Sequence, residues 1–161
     1  MSGAGLTWTL VQRTNARHGT SEIWEAFAPA QLSNVTVTST QSKGKSLGQS
    51  LTVVAFVGAS GVGASASANR LTGAPSVALT TTAAGSWVFG VGNDWDRATA
   101  RVVGSGQVIV HQLLDNGSGD TYWTQSQAAP TAPAGSVVTI NDTAPTTDRW
   151  NPSAVEILPS P

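Results

Sequence analysis

The chain has 161 residues and a formal charge of -1, from eight Lys+Arg and nine Asp+Glu, and it contains no cysteine. Without a basic excess the counterion-release term of nucleic-acid binding has little to act on, and zero cysteines exclude disulfides, thiolate metal sites and a thiol nucleophile together. No apolar run reaches the roughly 18 residues of a membrane-spanning helix, and the first residues lack the charged-then-apolar order of an export signal.

Polarity comes from hydroxyls instead: Ser and Thr number 38 while charged residues are 11% of the chain. That Lys-poor, cysteine-free composition is expected of bacterial extracellular or cell-surface modules, whose stability rests on a sheet core. Residues 1–5 read as a leader, 6–158 as a single domain, and 159–161 as the start of a proline-stiffened linker to flanking domains.

Glycine and proline interrupt the chain so often that helices have no room to form. The intervals between them alternate apolar and polar residues, which is the pattern of strands with one buried face. Leu6–Val11 and Ser21–Ala28 predict the first two strands and Asn34–Thr40 a third. Leu51–Val57, apolar almost throughout, predicts a central strand. The small-residue segment Gly58–Asn69 has no anchoring side chain and predicts an extended or mobile excursion. Strands follow at Ser76–Thr81, Ser86–Val91, Gln107–Leu113, Thr121–Gln127, Ser136–Ile140 and Ala154–Leu158, with Thr143–Arg149 a loop fixed by its Pro, Asp and Arg. About ten short strands predict an all-β antiparallel two-sheet sandwich, jelly-roll-like, with an immunoglobulin-like sandwich as the alternative. The first and last strands are expected in one sheet.

The chemistry is sparse. His18 and His111 are the only histidines, the side-chain type that general-base catalysis uses most, and neither sits in a nucleophile motif: Gly58-Ala59-Ser60-Gly61-Val62 lacks the last glycine of G-x-S-x-G. Gly61-Val62-Gly63-Ala64-Ser65-Ala66 matches a dinucleotide fingerprint but opens no helix. No enzyme is expected. Six Asp gather in loops, and Asp94, Asp96, Asp142 and Asp148 form the candidate ligand set for a structural Ca²⁺, against ordinary turn chemistry for Asp115–Asp120. Arg149 with Asp142 or Asp148, and Arg97 with Asp94 or Asp96, are the expected ion pairs.

Six tryptophans are the most informative excess. Trp8 and Trp87 lie in apolar alternation and read as core. Trp24, Trp95, Trp123 and Trp150 have polar or charged neighbours in the chain, and together with Asp94 and Asp96 they form the candidate ligand site, since a ring face beside carboxylates suits a sugar's apolar C–H face and polar rim.

The order Leu6-Thr7-Trp8-Thr9-Leu10, Ser86-Trp87-Val88-Phe89-Gly90-Val91-Gly92-Asn93-Asp94-Trp95-Asp96, Gly119-Asp120-Thr121-Tyr122-Trp123 and Ile140-Asn141-Asp142-Thr143-Ala144-Pro145 through Asp148-Arg149-Trp150 resembles a β-sandwich accessory module of large multidomain secreted or surface proteins of soil bacteria. The resemblance spans nearly the whole chain and implies a non-catalytic domain; it carries no functional residues. The expected function is carbohydrate binding or adhesion to a polysaccharide, with a structural spacer or self-assembling surface module as the alternative. Exposure of the four loop tryptophans discriminates the two.

Overall fold

Period-two alternation becomes strand: the computed structural model describes residues 1–42 and 47–160, and among these it contains no helix. Lys43 and Lys45, the only lysines, and Pro161 of the expected linker lie outside the described residues. The first strands are β1 (Ser2–Gly3), β2 (Thr9–Thr14), β3 (Ser21–Glu25), β4 (Val37–Thr38), β5 (Ala59–Ser67) and β6 (Ser76–Thr80). They are followed by β7 (Trp87–Asp94), β8 (Val102–Val103), β9 (Gln107–Asp115), β10 (Asp120–Gln127), β11 (Val137–Ala144) and β12 (Trp150–Pro159). All pairings are antiparallel: a five-stranded sheet in the order β5-β12-β7-β10-β9, a three-stranded sheet β6-β11-β8, the hairpin β2-β3 and the short pair β1-β4.

The all-β antiparallel architecture is as the sequence leads one to expect. Successive strand residues point to opposite faces, so Val88 and Ala154 meet Val77, Leu79, Val138 and Ile140 of the smaller sheet, with Ala64, Ala66 and Ala68 at the flank. Each fully buried Val, Leu or Ile there contributes about 1.5–3 kcal/mol. β7 can carry no side chain at two positions: a Cβ at Gly90 would lie 2.6 Å from Ile140 Cγ2 of the smaller sheet, and one at Gly92 would lie 2.1 Å from the ring of Trp123 on the neighbouring β10.

Several expected elements are corrected. Leu51–Val57 is not a strand, and Gly58–Asn69 is not an excursion: β5 occupies most of that small-residue segment and forms one edge of the large sheet. The reason is Glu156 on β12, a fully buried carboxylate. It accepts the backbone N–H groups of Ala64 (2.9 Å), Thr82 (2.8 Å) and Ala83 (3.1 Å), and the hydroxyls of Thr82 (2.8 Å) and Ser86 (2.6 Å). A neighbouring strand must therefore offer an N–H with no side chain in the way, and Gly63-Ala64 does so where Leu51–Val57 cannot.

The first strand likewise does not share a sheet with the last. Both edges of β12 are taken by β5 and β7, so β2 pairs only with β3. The hairpin crosses the sheet's other face, where Thr14 Oγ1 and Ser21 Oγ lie 2.8 and 2.9 Å from Ser153 Oγ, and Thr14 also donates to the Pro152 carbonyl at 3.0 Å. Of Asn34–Thr40 only Val37–Thr38 is a strand, pairing with Ser2–Gly3 of the expected leader. β12 continues through Pro159.

A Cβ at Gly63 would fall 2.3 Å from Glu156 Oε2 and 2.8 Å from Thr82 Oγ1. Gly63→Ala is expected to destabilise the domain by about 2 kcal/mol, while Ser67→Ala, on the exposed part of the same strand, stays within roughly 0.5 kcal/mol of wild type. Denaturant midpoints check the pair; equal midpoints would refute the role given to Gly63.

Candidate functional site

β7 ends and β12 begins at one end of the large sheet, where Asp94 and Trp150 stand opposite each other in register. The loops that leave there, 95–101 and 145–149, run side by side, and the turn of the β2-β3 hairpin folds over them through Asn151. That side chain accepts Arg17 N–H at 3.0 Å and donates to the carbonyls of His18 (3.2 Å) and Gly19 (3.3 Å).

Three guanidinium–carboxylate pairs lock the loops, and their partners are not those expected from the sequence. Arg149 binds Asp96 with its Nε (2.8 Å), its Nη2 and its backbone N–H (2.7 Å). Arg97 Nε lies 3.4 Å from Asp148 Oδ1. Arg101 pairs with Asp94, both side chains wholly out of water, and its guanidinium lies 4.4 Å over the Trp123 ring. Breaking a pair so buried leaves an uncompensated charge and costs about 3–5 kcal/mol. Burial pushes the Asp94 carboxyl up to about 6 against the Arg101 bond, whereas the Arg149 hydrogen bonds hold the more exposed Asp96 below the usual carboxylate range.

These pairs decide the fate of the expected sites. Asp94, Asp96 and Asp148 each face a guanidinium where a metal ion would have to sit, and Asp142 stands apart on β11. Among the described residues no three acidic or histidine side chains form a group that could hold a metal ion. Of the candidate ligand-site tryptophans, Trp123 is 4% and Trp150 1% exposed, and Trp150 donates its indole N–H to the Gly73 carbonyl at 2.6 Å. Neither offers a ring face to a ligand. Trp24 is half-buried on the hairpin, its indole N–H on Glu22 at 2.7 Å. Trp95, also half-buried, meets the exposed His18 edge-on at 5.5 Å, and His18 Nδ1 lies 3.4 Å from Arg149 Nη1. Trp95 and Asp96 alone keep company at the surface, joined by His18 and Arg149, which the sequence did not single out as ligand residues.

The sequence also gave no sign of a polar chain inside the sandwich. Asn141 N–H donates to Gln107 Oε1 at 3.0 Å, and that oxygen also accepts Gln125 Nε2 at 2.9 Å. Gln107 Nε2 donates to Asn141 Oδ1 (2.9 Å), and Gln125 Nε2 donates again to the Asn141 carbonyl (3.2 Å). A backbone N–H can only donate, so it fixes the Gln107 amide and, through it, the Gln125 amide. Gln125 Oε1 is left buried and unpaired, as are both oxygens of the adjoining Asp142 carboxyl. Both residues line a cleft between the layers with room for about one water molecule. Burial pushes the Asp142 carboxyl up to about 7, with the charge of Arg101 and the neighbouring Gln125 amide opposing.

Comparison of the chain with protein families, curated proteins and solved structures finds no match.

Between the ordinary carboxyl value of 3.8 and about 7 the folded protein holds a proton on Asp142 that the unfolded chain has lost, so stability falls as pH rises through that window. Asp142→Asn keeps the side chain's size and does not titrate. Melting temperatures at about pH 5 and about pH 8 are expected to fall more steeply for wild type than for the variant; parallel falls would rule out the neutral acid.

Proposed function

We propose that the chain is a non-catalytic structural module that spaces or joins domains within a longer extracellular or cell-surface protein. The observation that supports this reading is the internal use of its polar loop groups. Arg97, Arg101 and Arg149 are each taken by a carboxylate, and two of the four candidate tryptophans are sealed in the layers. The hydroxyl-rich, cysteine-free composition suits the extracellular setting.

The histidines support it too. His18 lies against Trp95 and Arg149, and His111 Nδ1 lies 3.3 Å from the Thr52 hydroxyl at an exposed position. Among the described residues no carboxylate hydrogen-bonds to either imidazole, so the hydroxyl–imidazole pair lacks the orienting third group of a nucleophilic triad.

A second reading, weak glycan contact, is favoured by one observation: Trp95, His18, Asp96 and Arg149 form a surface group of aromatic, acidic and basic character. A polysaccharide array read together with tryptophan fluorescence separates the two. The structural reading expects no bound glycan and no fluorescence change with sugar or Ca²⁺. Binding that Trp95→Ala abolishes would overturn it in favour of glycan contact.

A further inference from the structure

The strongest strand-forming segment of the sequence is the one the fold leaves without a partner. Leu51–Val57 is outside every sheet, and none of the backbone hydrogen bonds among the described residues involves it. The segment is nevertheless seated on the large sheet through its even-numbered residues: Thr52 Oγ1 lies 3.3 Å from His111 Nδ1, and the Phe56 and Phe89 rings meet edge-on at 5.1 Å. The odd-numbered Val57 (105%), Val53 (55%) and Leu51 (41%) are exposed, and the even-numbered Val54 (39%) and Phe56 (40%) are only partly covered. On the adjoining edge strand β9, Val108, Val110 and Leu113 are exposed as well.

We propose that Leu51–Val57 is an intermolecular strand, which pairs antiparallel with the same segment of a second copy of this chain about a two-fold axis at Val54. That arrangement sets Leu51 against Val57 and Thr52 against Phe56, and gives the N–H and C=O groups along the facing edge of each copy partners at once.

Two properties select a second copy as the occupant. The first is charge. Residues 46–69 contain no Asp, Glu, Lys or Arg, so nothing there attracts a charged partner and nothing repels an identical one. The segment also lacks the charge, proline or bulge with which proteins blunt a free strand. The second property is area. Leu51, Val53, Val54, Phe56 and Val57 of the segment and Val108, Val110 and Leu113 of β9 are all exposed, apolar surface of the kind that a stable interface of ~800 Å² per partner covers. This association goes beyond the spacing role and does not depend on it: a spacer that stays monomeric remains a spacer.

Sedimentation equilibrium of the intact chain over a range of concentrations tests the proposal. A reversible dimer is expected, with its dissociation constant raised at least about tenfold by Val53→Lys. Phe27→Ser, at an equally exposed apolar position outside the segment, should leave the dimer unchanged. Hydrogen exchange on wild type gives a readout independent of any variant's folding: amides 51–57 should be protected at high concentration and exchange freely on dilution. A monomer at every concentration up to ~1 mM, an open ladder of larger species, or dilution-independent exchange at those amides would each overturn the proposal. So would recruitment of the monomer to phosphatidylcholine vesicles through the segment.

Discussion

Glu156 carries a negative charge into the interior with no cation beside it; among the described residues none of the ion pairs involves it. Burial alone would raise its carboxyl, but the hydrogen bonds from Ser86, Ala64 and Thr82 outweigh that and hold it down at about 2. Hydrogen bonds to a charged acceptor are worth about 1.5–3 kcal/mol each, and these come from three places: β5, the turn after β6 and the residue before β7. One side chain thus ties the edge of the large sheet to the connection from the small one. Its demand for bare N–H groups is what gives a small-residue strand the place that a bulky apolar strand would otherwise take.

The sequence made some of this legible. Gln107–Leu113, Thr121–Gln127, Ser76–Thr81 and Ser136–Ile140 lie within or across β9, β10, β6 and β11, because period-two alternation reports a half-buried face directly. It misplaced Leu51–Val57 and Ala59–Ser67 because hydrophobicity ranks segments by side-chain size, and here the deciding contact is between a distant carboxylate and a backbone. Neighbours in the chain misled in the same way over Trp123 and Trp150: Tyr122 and Thr124 point to the opposite face, so their polarity says nothing about where the intervening ring goes. The ion pairs Arg97–Asp148 and Arg149–Asp96 cross between two loops whose adjacency only the sheet order supplies.

Two of the buried acids, Glu156 and Asp142, set opposite pH limits. A carboxyl held at about 2 loses its contribution as pH falls below the ordinary glutamate value of 4.5, whereas one held at about 7 favours the folded state less as pH rises toward neutrality. Glu156 ionised and Asp142 protonated therefore coexist between those limits.

The central claim is that the ionised Glu156 carboxylate holds the two sheets together, and Glu156→Gln tests it most directly through unfolding free energy measured from about pH 7 to about pH 2. The variant keeps the side chain's size but replaces one acceptor oxygen with an NH₂ that faces donors. Wild type should lose stability as pH falls through 4.5 toward 2, and the variant should be less stable by about 3 kcal/mol at neutral pH and lack that acid-dependent loss. A variant as stable as wild type at pH 7, with the same fall in acid, would contradict the account.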